Sequence, residues 1–191
     1  MQIPTDKTSY RLEQQICSAL KVEYLGSGRQ ILRDERRFKI DEFRVECAWQ
    51  VTIRPSFDPI AHLAVLYQQE RRRAAFAIDQ DENASADGGQ VCIAEFAADW
   101  QEPVLQALRG TEFLEIDDMR SLDGIGYDLA VDTSALNATI HFSNPHLKSL
   151  IELEQAFLKV AGEIVAGAAS KEIEAYFHVW QRYCTSHKKR L

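Results

Sequence analysis

The sequence predicts an α+β fold, a mainly antiparallel sheet covered by helices, with two helices closing the chain. Three observations carry this. Apolar and polar residues alternate over 43–53 and 127–132, the period of a half-buried strand. Over 8–20, and in two consecutive stretches between Leu147 and Cys184, apolar residues recur at three- and four-residue steps, the period of a helix. The chain has 191 residues, 46% hydrophobic and 27% charged, with no linker long enough to separate two cores, so residues 1–191 read as a single domain.

The elements follow in order. Leu12, Ile16, Ala19 and Leu20 form the inner face of a first helix, and Gly26 and Gly28 then break the chain. Phe43, Val45, Cys47, Trp49, Val51 and Ile53 share one side of a single long strand from Phe38 to Ile53, ended by Pro55. Asp58-Pro59 places a capping acceptor before a proline whose missing donor costs nothing in a first helical turn. A helix is expected there, with Ile60, Leu63, Ala64 and Tyr67 as its stripe and Arg71, Arg72 and Arg73 at its carbonyl end. Ala75 to Ile78 opens a strand, Asp79 to Gly89 is a solvated loop, and Gln90 to Phe96 is a strand.

Pro103 to Arg109 makes a short helix stopped by Gly110, and Phe113, Leu114 and Ile116 suggest another strand. After the Leu122-Asp123-Gly124 turn, Tyr127, Leu129 and Val131 line a strand that pairs as a hairpin with residues 137–142. Asn144-Pro145 repeats the cap-then-proline start before a long amphipathic helix toward Gly167. Ser170 caps the last helix, whose stripe is Ile173, Tyr176, Phe177, Trp180 and Cys184.

Cys17, Cys47, Cys92 and Cys184 are widely spaced, with no C-x-x-C pair, and the polar start carries no secretory leader. Free thiols in a reducing cytoplasm are expected. No run approaches the roughly 18 apolar residues of a membrane helix, so no membrane role is expected.

Charge is distributed unevenly. The segment Asp79 to Asp132 holds 14 Asp and Glu against only Arg109 and Arg120, in a chain of net charge −7. Nucleic-acid binders carry basic stripes, so nucleic acid is disfavoured as a partner, and a basic protein surface is the complementary one. Solvated loops are the plainer reading of the same carboxylates. Glu112, Glu115, Asp117, Asp118 and Asp123 lack the spacing and central glycine of a calcium loop.

Signatures of catalysis are sparse. Gly26-Ser27-Gly28 is not a nucleophile elbow, no P-loop is present, and Gly124-Ile125-Gly126 precedes a strand rather than opening a helix. His141 and His146 flank the junction of strand and helix, where Asp128 or Asp132 on the neighbouring strand could join them as metal ligands or a general base. Neither H-E-x-x-H nor paired cysteines support a zinc site.

Leu122-Asp123-Gly124-Ile125-Gly126-Tyr127-Asp128-Leu129, the strand ending near Phe142, Asn144-Pro145 and the helix after it resemble a pattern in small bacterial proteins, among them immunity proteins that neutralise toxins of competing cells. The resemblance covers residues 122–166 and implies no catalytic residue.

The expectation is therefore a cytoplasmic bacterial protein-binding module without cofactor, immunity-like or antitoxin-like. It would meet a basic protein partner through Asp117, Asp118, Asp123, Asp128 and Asp132. The alternatives are a small metal-dependent hydrolase using His141, His146 and Asp132, and a structural subunit that forms a homodimer through the aromatic residues of the last helix.

Overall fold

The computed structural model describes residues 7–20, 39–40, 43–44, 47–68, 71–79, 90–97, 99–111, 124–133, 137–168 and 170–188. Helix α1 spans Lys7–Leu20. Two short strands, β1 (Lys39–Ile40) and β2 (Phe43–Arg44), pair with each other in a two-stranded sheet, and β3 begins afresh at Cys47 and runs to Pro55. The long strand expected from Phe38 is thus divided, because the alternation continues through a stretch that pairs as its own ribbon.

Residues 61–78 overturn the expected helix: they form β4 (Ala61–Gln68) and β5 (Arg71–Ile78), antiparallel to each other. The physical reason lies in burial on both sides of the sheet. Ala61, Leu63 and Val65 enter the main core, while Ala64 and Leu66 enter a second cluster with α1. A strand covered on both faces reads as a continuous apolar run, which loses the period-two signal. Arg71, Arg72 and Arg73 open β5 instead of closing a helix.

Strand β6 (Gln90–Phe96), helix α2 (Pro103–Gly110), strands β7 (Ile125–Thr133) and β8 (Asn137–Ser143), and helices α3 (Lys148–Ala166) and α4 (Lys171–Lys188) complete the chain. The large sheet is antiparallel in the order β6-β5-β4-β3-β7-β8. Trp49, Val51, Phe76, Tyr127 and Leu129 point from it into the core formed with Phe157, Val160, Ile164, Ile173 and Trp180 of α3 and α4. On the other face α1 lays Leu12, Ile16, Cys17 and Leu20 over β4, β5 and β6. Helices therefore pack on both faces.

Capping explains the helix boundaries. Glu102 accepts from the Val104 and Leu105 amides at 2.7 and 2.6 Å, and Ser170 Oγ accepts from Ile173 at 3.3 Å, as its position before α4 predicts. Asn144, expected to cap α3, does not. Leu147 takes the cap position with no side-chain bond, and Asn144, at φ 44°, turns its Oδ1 to the Ile125 amide at 2.8 Å. Cys17, Cys92 and Cys184 are free thiols. Among the described residues, no helix is long and apolar enough to cross a membrane.

Candidate functional site

The second face of the sheet changes character along one line of cross-strand neighbours. Register places Val91, Ala77, His62, Thr52, Asp128 and His141 side by side across β6, β5, β4, β3, β7 and β8. Val91 and Ala77 lie under α1. Past Ala77 the residues are polar and bond to one another, as polar groups that burial takes from water must.

His62 is buried, with Nδ1 3.0 Å from Thr52 Oγ1 and Nε2 3.3 Å from Gln50 Oε1. Burial lowers its pKa to about 4, and the Arg54 cation pushes in the same direction, against the smaller pull of Asp128. A neutral imidazole carries one ring proton: with Nε2–H donated to Gln50, Nδ1 accepts from the Thr52 hydroxyl.

Next along the row, Asp128 accepts from Arg54 Nε at 2.8 Å through one oxygen and meets His141 Nδ1 at 2.7 Å with the other. Partial burial raises the Asp128 pKa, but the bonds to Arg54 and His141 outweigh it and hold the carboxyl below its ordinary range. The His141 side chain is 55% exposed, against 35% for Arg54 and for Asp128, so the row ends at solvent on an imidazole oriented by a carboxylate.

Four residues along β3 from Thr52, past the end of the strand, the chain makes a pinned turn. Ser56 N–H donates to the Gly124 carbonyl at 2.9 Å, and Gly124 N–H returns a bond to Ser56 Oγ at 2.8 Å. On the other flank Tyr183 Oη donates to Asp58 at 2.8 Å. Between these ties Phe57 stands 77% exposed. Gly124 is required here: its φ is +144°, and a Cβ would overlap the Asn144 amide.

Of the five carboxylates expected to meet a partner, Asp117, Asp118 and Asp123 lie outside the described residues. Asp128 shares its charge with Arg54 and His141. Asp132 is buried, with neither oxygen hydrogen-bonded among the described residues, and burial raises its pKa to about 6. Its carboxylate is not presented to solvent. Asp132 pairs with Asn137, four residues along β7 from the Asp128–His141 pair, or about 13 Å at strand rise. His146 follows β8 in the turn toward α3. The structure therefore joins His141 to Asp128 and not to Asp132, and among the described residues no three His, Cys, Asp or Glu side chains could hold a metal.

The aromatic stripe of α4 is core. Trp180 stacks on Phe76 at 6.0 Å and Tyr176 is tilted against it at 6.0 Å. Trp180 Nε1 donates to Tyr127 Oη at 2.9 Å, and that hydroxyl donates to buried Glu154 at 2.8 Å. Tyr176, Phe177 and Trp180 are buried in the interior.

Sequence reasoning missed Arg54, Thr52, His62 and Phe57. Thr52 lies on the polar side of the expected strand and Arg54 just past its end, but their neighbours are set by pairing across 10 and 74 residues of chain. No known family model matches this chain, and neither a curated protein nor a solved structure matches it.

Proposed function

We propose that this chain is a protein-binding module whose contact surface is the corner of the sheet where Phe57 stands beyond the Arg54–Asp128–His141 row. The observation that carries the reading is the pinned turn. Phe57 is 77% exposed while the residues on both sides of it are tied, one to Gly124 just before β7 and the other to α4. An aromatic ring whose backbone is fixed before binding loses little entropy when a partner covers it, and aromatic and arginine side chains dominate the energy of protein interfaces. The partner that fits supplies an apolar pocket for Phe57 and polar groups for Arg54 and His141.

The sharper reading, an immunity-like inhibitor that masks a basic surface, draws its support from the carboxylates between Asp79 and Asp132. With Asp128 engaged and Asp132 buried, that support narrows to the other acidic residues of the segment. The Asp128–His141 contact favours a second reading, because a carboxylate-oriented imidazole is half of a general-base device.

The test pairs wild type with Phe57→Ser and Arg54→Glu as baits in lysate from the native host, followed by affinity measurement on any captured protein. Loss of an aromatic anchor should weaken binding about 30-fold or more. A partner held equally by all three baits refutes the proposed surface. Ester or phosphoester hydrolysis abolished by His141→Ala would favour the general-base reading.

A further inference from the structure

We infer that two copies of this chain join through strand β8, each extending the other's sheet in antiparallel register about Ile140. The bond from Asn144 N–H to the Ile125 carbonyl, 2.9 Å, marks that pair as one whose backbones bond directly across the ladder. Bonded and non-bonded pairs alternate from there. Phe142, Ile140 and Ala138 thus turn their amides and carbonyls toward β7, whereas Ser143, His141, Thr139 and Asn137 turn theirs away from it.

Strand β8 ends the sheet, and among the described elements only β7 packs extensively along it. Natural edges are usually blocked by charged side chains, proline or a bulge. β8 reads Asn-Ala-Thr-Ile-His-Phe-Ser, with no Lys, Arg, Asp, Glu or Pro, and its seven pairs with β7 run without interruption. Among the described residues nothing pairs with its outer row of donors and acceptors.

The pattern of β8 suits a second copy of itself. Antiparallel pairing centred on Ile140 sets Thr139 against His141 of the other copy and Asn137 against Ser143, so every outward-directed residue meets another. A one-residue shift would set outward-directed residues against inward-directed ones. Side chains match as well, since opposed residues share a face. Polar Thr139 lies beside His141, Ala138 leaves room for Phe142, and Ile140 meets its own copy on the apolar side. No like charges oppose. The pairing would continue the polar face from one copy to the next.

Light scattering on the full chain tests this. The expected mass is twice 21.8 kDa. Thr139→Pro, which deletes an outward N–H while sparing the bonds to β7, should return it to 21.8 kDa with unchanged circular dichroism. If that variant does not fold, cross-linking decides. The central pair is a non-bonded one with Cα atoms about 4.5 Å apart, within disulfide reach. Oxidised Ile140→Cys should therefore form a covalent dimer, and Ala138→Cys, set against Phe142, should not. A monomeric mass up to about 1 mM overturns the inference, as does a dimer that survives Thr139→Pro and leaves Ile140→Cys uncross-linked.

Discussion

Replacing Tyr127 by Phe isolates one oxygen at the centre of the core. That hydroxyl donates to Glu154 Oε1 at 2.8 Å, accepts from Trp180 Nε1 at 2.9 Å and lies 3.6 Å from Cys184 Sγ. The ring contacts, 4.9 Å to Phe142 and 5.8 Å to Phe157 between centroids, survive the change, so almost no packing volume is lost. What is lost is one donor to a buried carboxylate and the acceptor of a buried indole. Stranding a buried polar group costs about 1–3 kcal/mol, and the donor lost by the carboxylate adds to the stranded indole, which gives a destabilisation of about 3 kcal/mol for Tyr127→Phe. For a chain of this size that lowers Tm by about 6–12 °C. Urea unfolding followed by circular dichroism should show a lower midpoint with an unchanged slope. Adding Glu154→Leu should recover part of the loss, because removing both partners costs less than stranding one. A change below about 0.5 kcal/mol for Tyr127→Phe would refute the hydroxyl's role as the shared partner of Glu154 and Trp180.

Gly124→Ala should cost about 2–4 kcal/mol in thermal or urea unfolding, since the new methyl meets both an unfavourable φ and the Asn144 amide that caps Ile125. Asp132 has a folded pKa raised to about 6, so its contribution is fully present below about pH 4 and is lost as pH rises through 6. Asp132→Asn should accordingly stabilise the protein by up to about 3 kcal/mol at pH 8 and leave it unchanged near pH 4. His62 runs the opposite way. Its folded pKa is lowered to about 4, so stability present above pH 6.5 is lost as pH falls toward 4, and His62→Gln should flatten the acid limb of a Tm–pH curve.

The parts of the fold legible in the sequence are those with one covered face. Strands β6, β7 and β8 alternate between a core side and a wet or partly covered side, and helices α1, α3 and α4 carry apolar stripes, so their periods survive in the residue order. Strands β4 and β5 are covered on both sides, and the capping signal at Asp58-Pro59 pointed to a helix. In the fold Asp58 accepts from Tyr183 instead of from a helical amide. Asn144-Pro145 misled in the same manner, its amide being taken by Ile125. A capping motif marks an acceptor close to a chain reversal, and the tertiary neighbours decide which donor reaches it. The site was partly legible: His141 was named with Asp128 or Asp132 as its neighbour on the adjoining strand, and deciding between the two needed the register of β7 with β8.

The row from Val91 to His141 also explains why these polar residues occupy the positions they do. Past Ala77 the row changes from apolar to polar while Thr52 and His62 stay buried, and each of these residues needs a partner because burial takes water from it. His62 serves there as a neutral group, bonded to Thr52 and Gln50, and Arg54 beside it is tolerated because Asp128 takes up its charge. Replacing Asp128 by Asn would leave the Arg54 cation without that carboxylate, and the His62 pKa would fall further, since Asp128 now raises it. The carboxylate that orients His141 at the surface therefore also sets the electrostatic environment of the buried end of the same row, and a partner that drew Arg54 away from Asp128 would be felt at His62.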